Sequence, residues 1–163
     1  MDADLAQALP KWKTPLLLMI DGVQDPHNLG ACLRTAEAAG ASGVITPMHR
    51  TAPLSETVRR IACGAAERVP VFQVANLHET IELLRGRGVR MIATSDAATQ
   101  DLWDANLTGP LAIVMGAEDT GVRRLTRKHC DDVVRIPMQG EAECVNLSVA
   151  AGICLFEAVR QRR

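Results

Sequence analysis

The feature that most constrains this chain is a regular alternation between two hydrophobic patterns. Residues 15–22 (PLLLMIDG) form a short unbroken apolar run, which suits a strand buried on both faces. Over residues 28–39 the pattern changes: Leu29, Cys32, Leu33 and Ala36 recur at helical spacing, and Gly40 supplies the stop. The pair then repeats. Residues 43–47 predict a strand and 55–66 a helix; 69–74 predict a strand and 77–87 a helix. Further strands are predicted over 89–94 and 111–115, a helix over 120–129, and a last helix over 146–160. Strands alternating with helices imply an α/β fold, a parallel sheet covered by helices on both faces. Residues 1–14 are polar, contain Pro10 and Trp12, and read as a linker or arm leading into one domain over 15–163. A single domain of this length buries roughly 70% of its unfolded surface.

Composition narrows the chemistry. Aromatic residues make up 2% of the chain, so the core is aliphatic and base stacking on exposed rings is a poor reading. The net charge of −1 lacks the basic excess of a free-standing nucleic-acid domain. Basicity is local. Arg85, Arg87 and Arg90 read as solvated helix ends, whereas Arg123, Arg124, Arg127 and Lys128 admit either a solvated face or phosphate contact. The longest apolar run, residues 16–20, is too short to cross a membrane, and no charged leader with an apolar core precedes it. A soluble, cytoplasmic protein is expected. Cys32, Cys63, Cys130, Cys144 and Cys154 are widely spaced, without a C-x-x-C pair, so reduced thiols are expected rather than a metal site or disulfide framework.

The placement of glycines argues about ligands. Open parallel sheets bind at the carboxyl ends of their strands, and a dinucleotide fold puts G-x-G-x-x-G after the first strand. Here that turn, residues 21–30 (DGVQDPHNLG), lacks the fingerprint. Glycine turns instead cluster late, at residues 115–121 (MGAEDTG) and 136–140 (IPMQG), so a nucleotide-like ligand is expected in the C-terminal third.

Three ordered segments carry a resemblance. Residues 25–36 (DPHNLGACLRTA), residues 113–118 (IVMGAE) followed by Gly121, and residues 136–138 (IPM) with 145–150 (VNLSVA) resemble the three motifs of the SpoU/TrmH RNA ribose 2′-O-methyltransferases. The likeness runs from about Leu16 to the end, and within the family it is nearest to enzymes that modify a guanosine of large-subunit (23S) rRNA. The resemblance implies S-adenosyl-L-methionine as cofactor, RNA as substrate, a homodimer, and a deep C-terminal trefoil knot, an exception to the rule that chains do not thread. It also implies an N-terminal RNA-binding domain in the full protein, absent from these residues.

The motif positions have bland readings as well as catalytic ones. Asn28 stands where a helix begins and is a favoured cap; the resemblance makes it a catalytic-site residue. Arg34 lies off the apolar stripe, as a solvated arginine would, and matches the family's catalytic arginine. Glu118 suits the start of a helix electrostatically; in the family it orients Asn28 and substrate. Asn146 completes the implied catalytic set. Thr94, Gly116, Ile136, Cys144 and Val145 match positions that hold the cofactor, although Ile136 and Val145 also suit an ordinary core. Two departures stand out: the family commonly has Ser at Cys144, and Leu-Asn-Val where this chain has Val145, Asn146 and Leu147. A thiol is a weaker donor than a hydroxyl. Gly152, with Ala150 and Ala151, marks a small-residue face for close helix packing, in a knot or dimer interface or at a simple bend. Two rival readings remain: a silent RNA-binding relative, opposed by Asn28, Arg34, Glu118 and Asn146, and a nicotinamide-dependent oxidoreductase, opposed by the missing first-turn fingerprint.

Overall fold

A computed structural model describes residues 2–117 and 121–163. Seven parallel strands form one sheet: β1 (Leu16–Asp21), β2 (Gly43–Pro47), β3 (Val71–Val74), β4 (Arg90–Thr94), β5 (Gln100–Asp101), β6 (Leu111–Gly116) and β7 (Asp132–Arg135). Their order is β3-β2-β1-β6-β4-β7-β5. The helices are α1 (Asp2–Ala8), α2 (Pro26–Ala38), α3 (Glu56–Ile61), α4 (Ala65–Arg68), α5 (Leu77–Gly86), α6 (Arg124–His129) and α7 (Leu147–Gln161).

The apolar run of β1 produces two cores because successive side chains of a strand face opposite ways. Leu16, Leu18 and Ile20 pack with Leu29, Leu33 and Leu155 on the face covered by α2 and α7, whereas Leu17 and Met19 pack with Ile81 and Leu84 of α5. All these side chains are buried, and each contributes about 1.5–3 kcal/mol of hydrophobic stabilisation. The expected parallel sheet with both faces covered is what forms.

Three differences from the sequence expectations have physical causes. Residues 2–8 of the supposed arm are helical, and Leu5 and Leu9 are buried in the core that holds Phe72 and Val74. Trp12 meets Phe72 edge-on, with ring centroids 6.0 Å apart. Two large apolar residues four apart were too sparse a stripe to stand out in polar sequence. The helix expected over 55–66 breaks into α3 and α4, because Cys63 and Gly64 both take positive φ, 53° and 82°. In the helix expected over 120–129, Thr120 lies outside the described residues and α6 begins at Arg124.

Candidate functional site

Three neighbouring strands, β4, β6 and β7, deliver their carboxyl ends to one cavity of about 500 Å³. Thr94 ends β4, Gly116 ends β6, and Ile136 follows β7 directly. All three line the cavity, and the segment leading into α7 closes it with Cys144, Val145, Asn146 and Leu147. Thus Thr94, Gly116, Ile136, Cys144 and Val145, widely separated in sequence, line one space. It sits at the end of a parallel sheet where ligands are expected, and its volume is within the range of small-molecule sites.

Gly116 has a further reason to be glycine. A Cβ there would fall 1.8 Å from the Gly121 carbonyl carbon and 2.0 Å from the Val122 nitrogen. Ala117 and Gly121 lie side by side, the Gly121 N–H donating to the Ala117 carbonyl at 2.7 Å. The glycine therefore admits the protein's own backbone, and close approach by a ligand is not needed to account for it.

Of the catalytic set, Asn28 and Asn146 meet: Asn146 Nδ2 donates to Asn28 Oδ1 over 3.1 Å. Asn146 is also the cap of α7, its Oδ1 accepting from the Ser148 backbone N–H at 2.9 Å and from the Ser148 hydroxyl at 2.7 Å. The capping role open to Asn28 is taken by Asp25, whose Oδ1 accepts from the His27 N–H at 2.9 Å, with Pro26 at the first helical position. Asn28 is buried and turned toward α7 instead. Arg34 is exposed on α2 and does not line the cavity. Glu118 lies outside the described residues.

The sequence reading missed Asp21. It is the last residue of β1, in register with Gly116, and its side chain is completely buried. Arg123 donates to it twice through Nε, at 3.0 and 3.1 Å, and once through its backbone N–H at 3.2 Å; Arg50 Nη2 adds a contact at 3.1 Å. Burial alone would push this carboxyl up, but the hydrogen bonds and charge of Arg123, with the Thr126 hydroxyl adding to them, outweigh it and hold the carboxyl below its ordinary range. Arg123 follows Gly121 and Val122, both of which line the cavity, so the clamp ties the cavity wall to β1. An aspartate ending an otherwise apolar buried strand was the available signal.

Cys63, Cys130, Cys144 and Cys154 form no disulfide. Burial pushes the Cys130 and Cys154 thiols up to about 12, which leaves neither as a reactive thiolate. No group of three His, Cys, Asp or Glu suited to a metal ion occurs among the described residues. No described helix is long and apolar enough to cross a membrane.

Comparison with known proteins gives the same answer from sequence and from structure. The 23S rRNA (guanosine-2′-O-)-methyltransferase RlmB of Vibrio parahaemolyticus is 57% identical over 159 residues, covering 98% of this chain. RlmB of Pseudomonas putida is 54% identical over 160 residues. The chain spans 64% of the length of each of these relatives. Among solved structures, an AdoMet-bound rRNA methyltransferase from Sinorhizobium meliloti superposes with a TM-score of 0.84 at 35% identity, covering 90% of this chain and 56% of that one. The SpoU methyltransferase AviRb from Streptomyces viridochromogenes, solved in complex with AdoMet, gives a TM-score of 0.87 at 28% identity, covering 95% and 63%. The model of the SpoU rRNA methylase family matches residues 15–156, which hold all the described strands and every residue that lines the cavity, and the chain belongs to that family.

Proposed function

We propose that this chain is the catalytic part of an S-adenosyl-L-methionine-dependent methyltransferase that modifies a ribose 2′-hydroxyl in RNA, a guanosine of 23S rRNA. The observation that carries this reading is the convergence of Thr94, Gly116, Ile136, Cys144 and Val145 on one cavity beside the Asn28–Asn146 hydrogen bond. The lining fits the cofactor's chemistry: apolar side chains of Met115, Ile136, Val145 and Leu147 beside strand-end backbone groups, with Arg127 and Glu143 as charges for the ends of an amino acid. Cys144 lines the cavity with a thiol at the place where the family commonly has a serine hydroxyl.

When bound, the cofactor supplies a methyl group on a positive sulfonium, open to in-line attack. The chain's residues must hold the 2′-hydroxyl in line and help remove its proton. Asn28, held by Asn146, orients the site, and Glu118 is assigned to the same task from the family resemblance. Arg34 binds the adjoining phosphate and stabilises the developing alkoxide, since a guanidinium keeps its positive charge and is a poor proton acceptor. The apolar part of the lining, Met115, Ile136, Val145 and Leu147, favours a step in which charge is partly annihilated.

The same reading includes a symmetric homodimer, supported by Val149 and Phe156, each about half exposed and two turns apart on one face of α7. It includes the family's trefoil knot around the C-terminal motifs, action on RNA in the cytoplasm, and an N-terminal RNA-binding domain, in keeping with the 64% of the relatives' length that the chain spans. The test is calorimetry with S-adenosylmethionine, its demethylated product and NAD. The expected result is micromolar binding or better of the first two, about −8 kcal/mol, and none of NAD. Absence of heat with either methionine-derived ligand at millimolar concentration refutes the cofactor assignment.

A further inference from the structure

The basic cluster that follows β6 divides in the structure, and its two parts do different things. Arg123 is consumed by Asp21. Arg124, Arg127 and Lys128 turn instead to a second groove, of about 760 Å³, whose lining also includes Leu125, Ser95 and Thr99 and no acidic residue. Among the described residues none of the three cations has a carboxylate at ion-pair distance, whereas Arg50, Arg59, Arg68, Arg85, Arg135 and Arg160 are all paired. Arg127 reaches Ser95 Oγ with Nη1 at 3.4 Å, and both residues line the cofactor cavity as well, so the groove and the cavity share a wall.

Helix electrostatics do not account for this arrangement. Cations in the last turn of α6 suit its negative end, but Arg124 is in the first turn, where a positive charge is disfavoured. Concentrated positive charge in a chain of net charge −1 serves an anion from outside. Leu125, 59% exposed in the same groove, offers an apolar contact, and Ser95 and Thr99 offer hydroxyls. That combination suits a sugar-phosphate strand better than a carboxylate-rich peptide.

We propose that this groove docks the backbone phosphates of the RNA strand next to the nucleotide presented at the cofactor cavity, an inference that rests on the methyltransferase reading. Arg124 and Lys128 are the phosphate contacts that can be tested without touching the cofactor cavity, because neither lines it.

The experiment compares this chain with its Arg124→Gln/Lys128→Gln variant for binding of a single-stranded RNA oligonucleotide across a salt series, with S-adenosylhomocysteine binding measured in parallel. The proposal expects weaker RNA binding and a log K against log salt slope shallower by about 0.7 per lost contact, at unchanged S-adenosylhomocysteine affinity. An unchanged RNA affinity and slope overturns the groove assignment while leaving the methyltransferase reading intact. Equal binding of poly-glutamate and RNA at one salt concentration overturns the choice of RNA as occupant. Failure of the unmodified chain to bind both RNA and S-adenosylhomocysteine sinks the methyltransferase reading and the groove with it.

Discussion

At the scale of single residues, the site divides into side chains that shape the cavity and side chains left for the reaction. Arg34 is exposed and apart from the cavity, so Arg34→Ala is expected to abolish methyl transfer while cofactor affinity stays within about threefold. Retained activity, or lost cofactor binding, would overturn its assignment. Asp21 predicts the opposite pattern. Asp21→Asn removes the buried charge that Arg123 and Arg50 neutralise, at an expected cost of about 2 kcal/mol, moderated because both arginines reach water. Cofactor affinity should fall with it, because Gly121 and Val122 lose their tether. The pH sign follows from the lowered pKa: the clamp is fully present above pH 3.8 and is lost as pH falls through the folded-state value. Denaturant midpoints measured against pH should therefore show a less steep acid limb in Asp21→Asn than in the parent. A variant as stable as the parent, with the same acid limb, would remove the clamp from this account.

At the scale of elements, the alternation of apolar runs and helical spacing was enough to predict β1, α2, β2, α5, β4, β6 and α7, because each has a strong period and a clear stop. What stayed hidden depended on tertiary contacts. The break at Cys63 and Gly64 follows from a backbone path no local signal demanded, and β5 is only two residues long. Helix α1 became legible only once Leu5 was seen buried beside Phe72. Leu5→Ala should therefore cost about 2–5 kcal/mol, measured by denaturant unfolding, where an exposed arm would give almost nothing. The candidate site was legible through its motifs, but not the Asn28–Asn146 contact, which joins residues 118 apart. Nor was the role of Gly116 in admitting its own loop. Gly116→Ala should displace the turn after β6, with a stability loss of about 3 kcal/mol and loss of cofactor binding. Wild-type affinity in that variant would mean the turn has room that the structure denies it.

At the scale of the whole molecule, a net charge of −1 with the basic groove of Arg124, Arg127 and Lys128 predicts weak, strongly salt-dependent RNA affinity in this chain alone. Joining the proposed N-terminal RNA-binding domain to this chain should raise RNA affinity and turnover at fixed salt; equal values in both forms would mean the chain recognises its substrate unaided. The central claim is the reaction, and the most direct measurement follows the methyl group itself. The chain is incubated at high concentration with methyl-labelled S-adenosylmethionine and unmodified large-subunit rRNA at low salt, so that weak affinity does not hide turnover. The RNA is then digested to nucleosides and the labelled product identified. The account predicts label in 2′-O-methylguanosine, absent when Arg34→Ala replaces the parent chain; label on a base, or RNA left unlabelled by a chain that binds both cofactor and RNA, would contradict it.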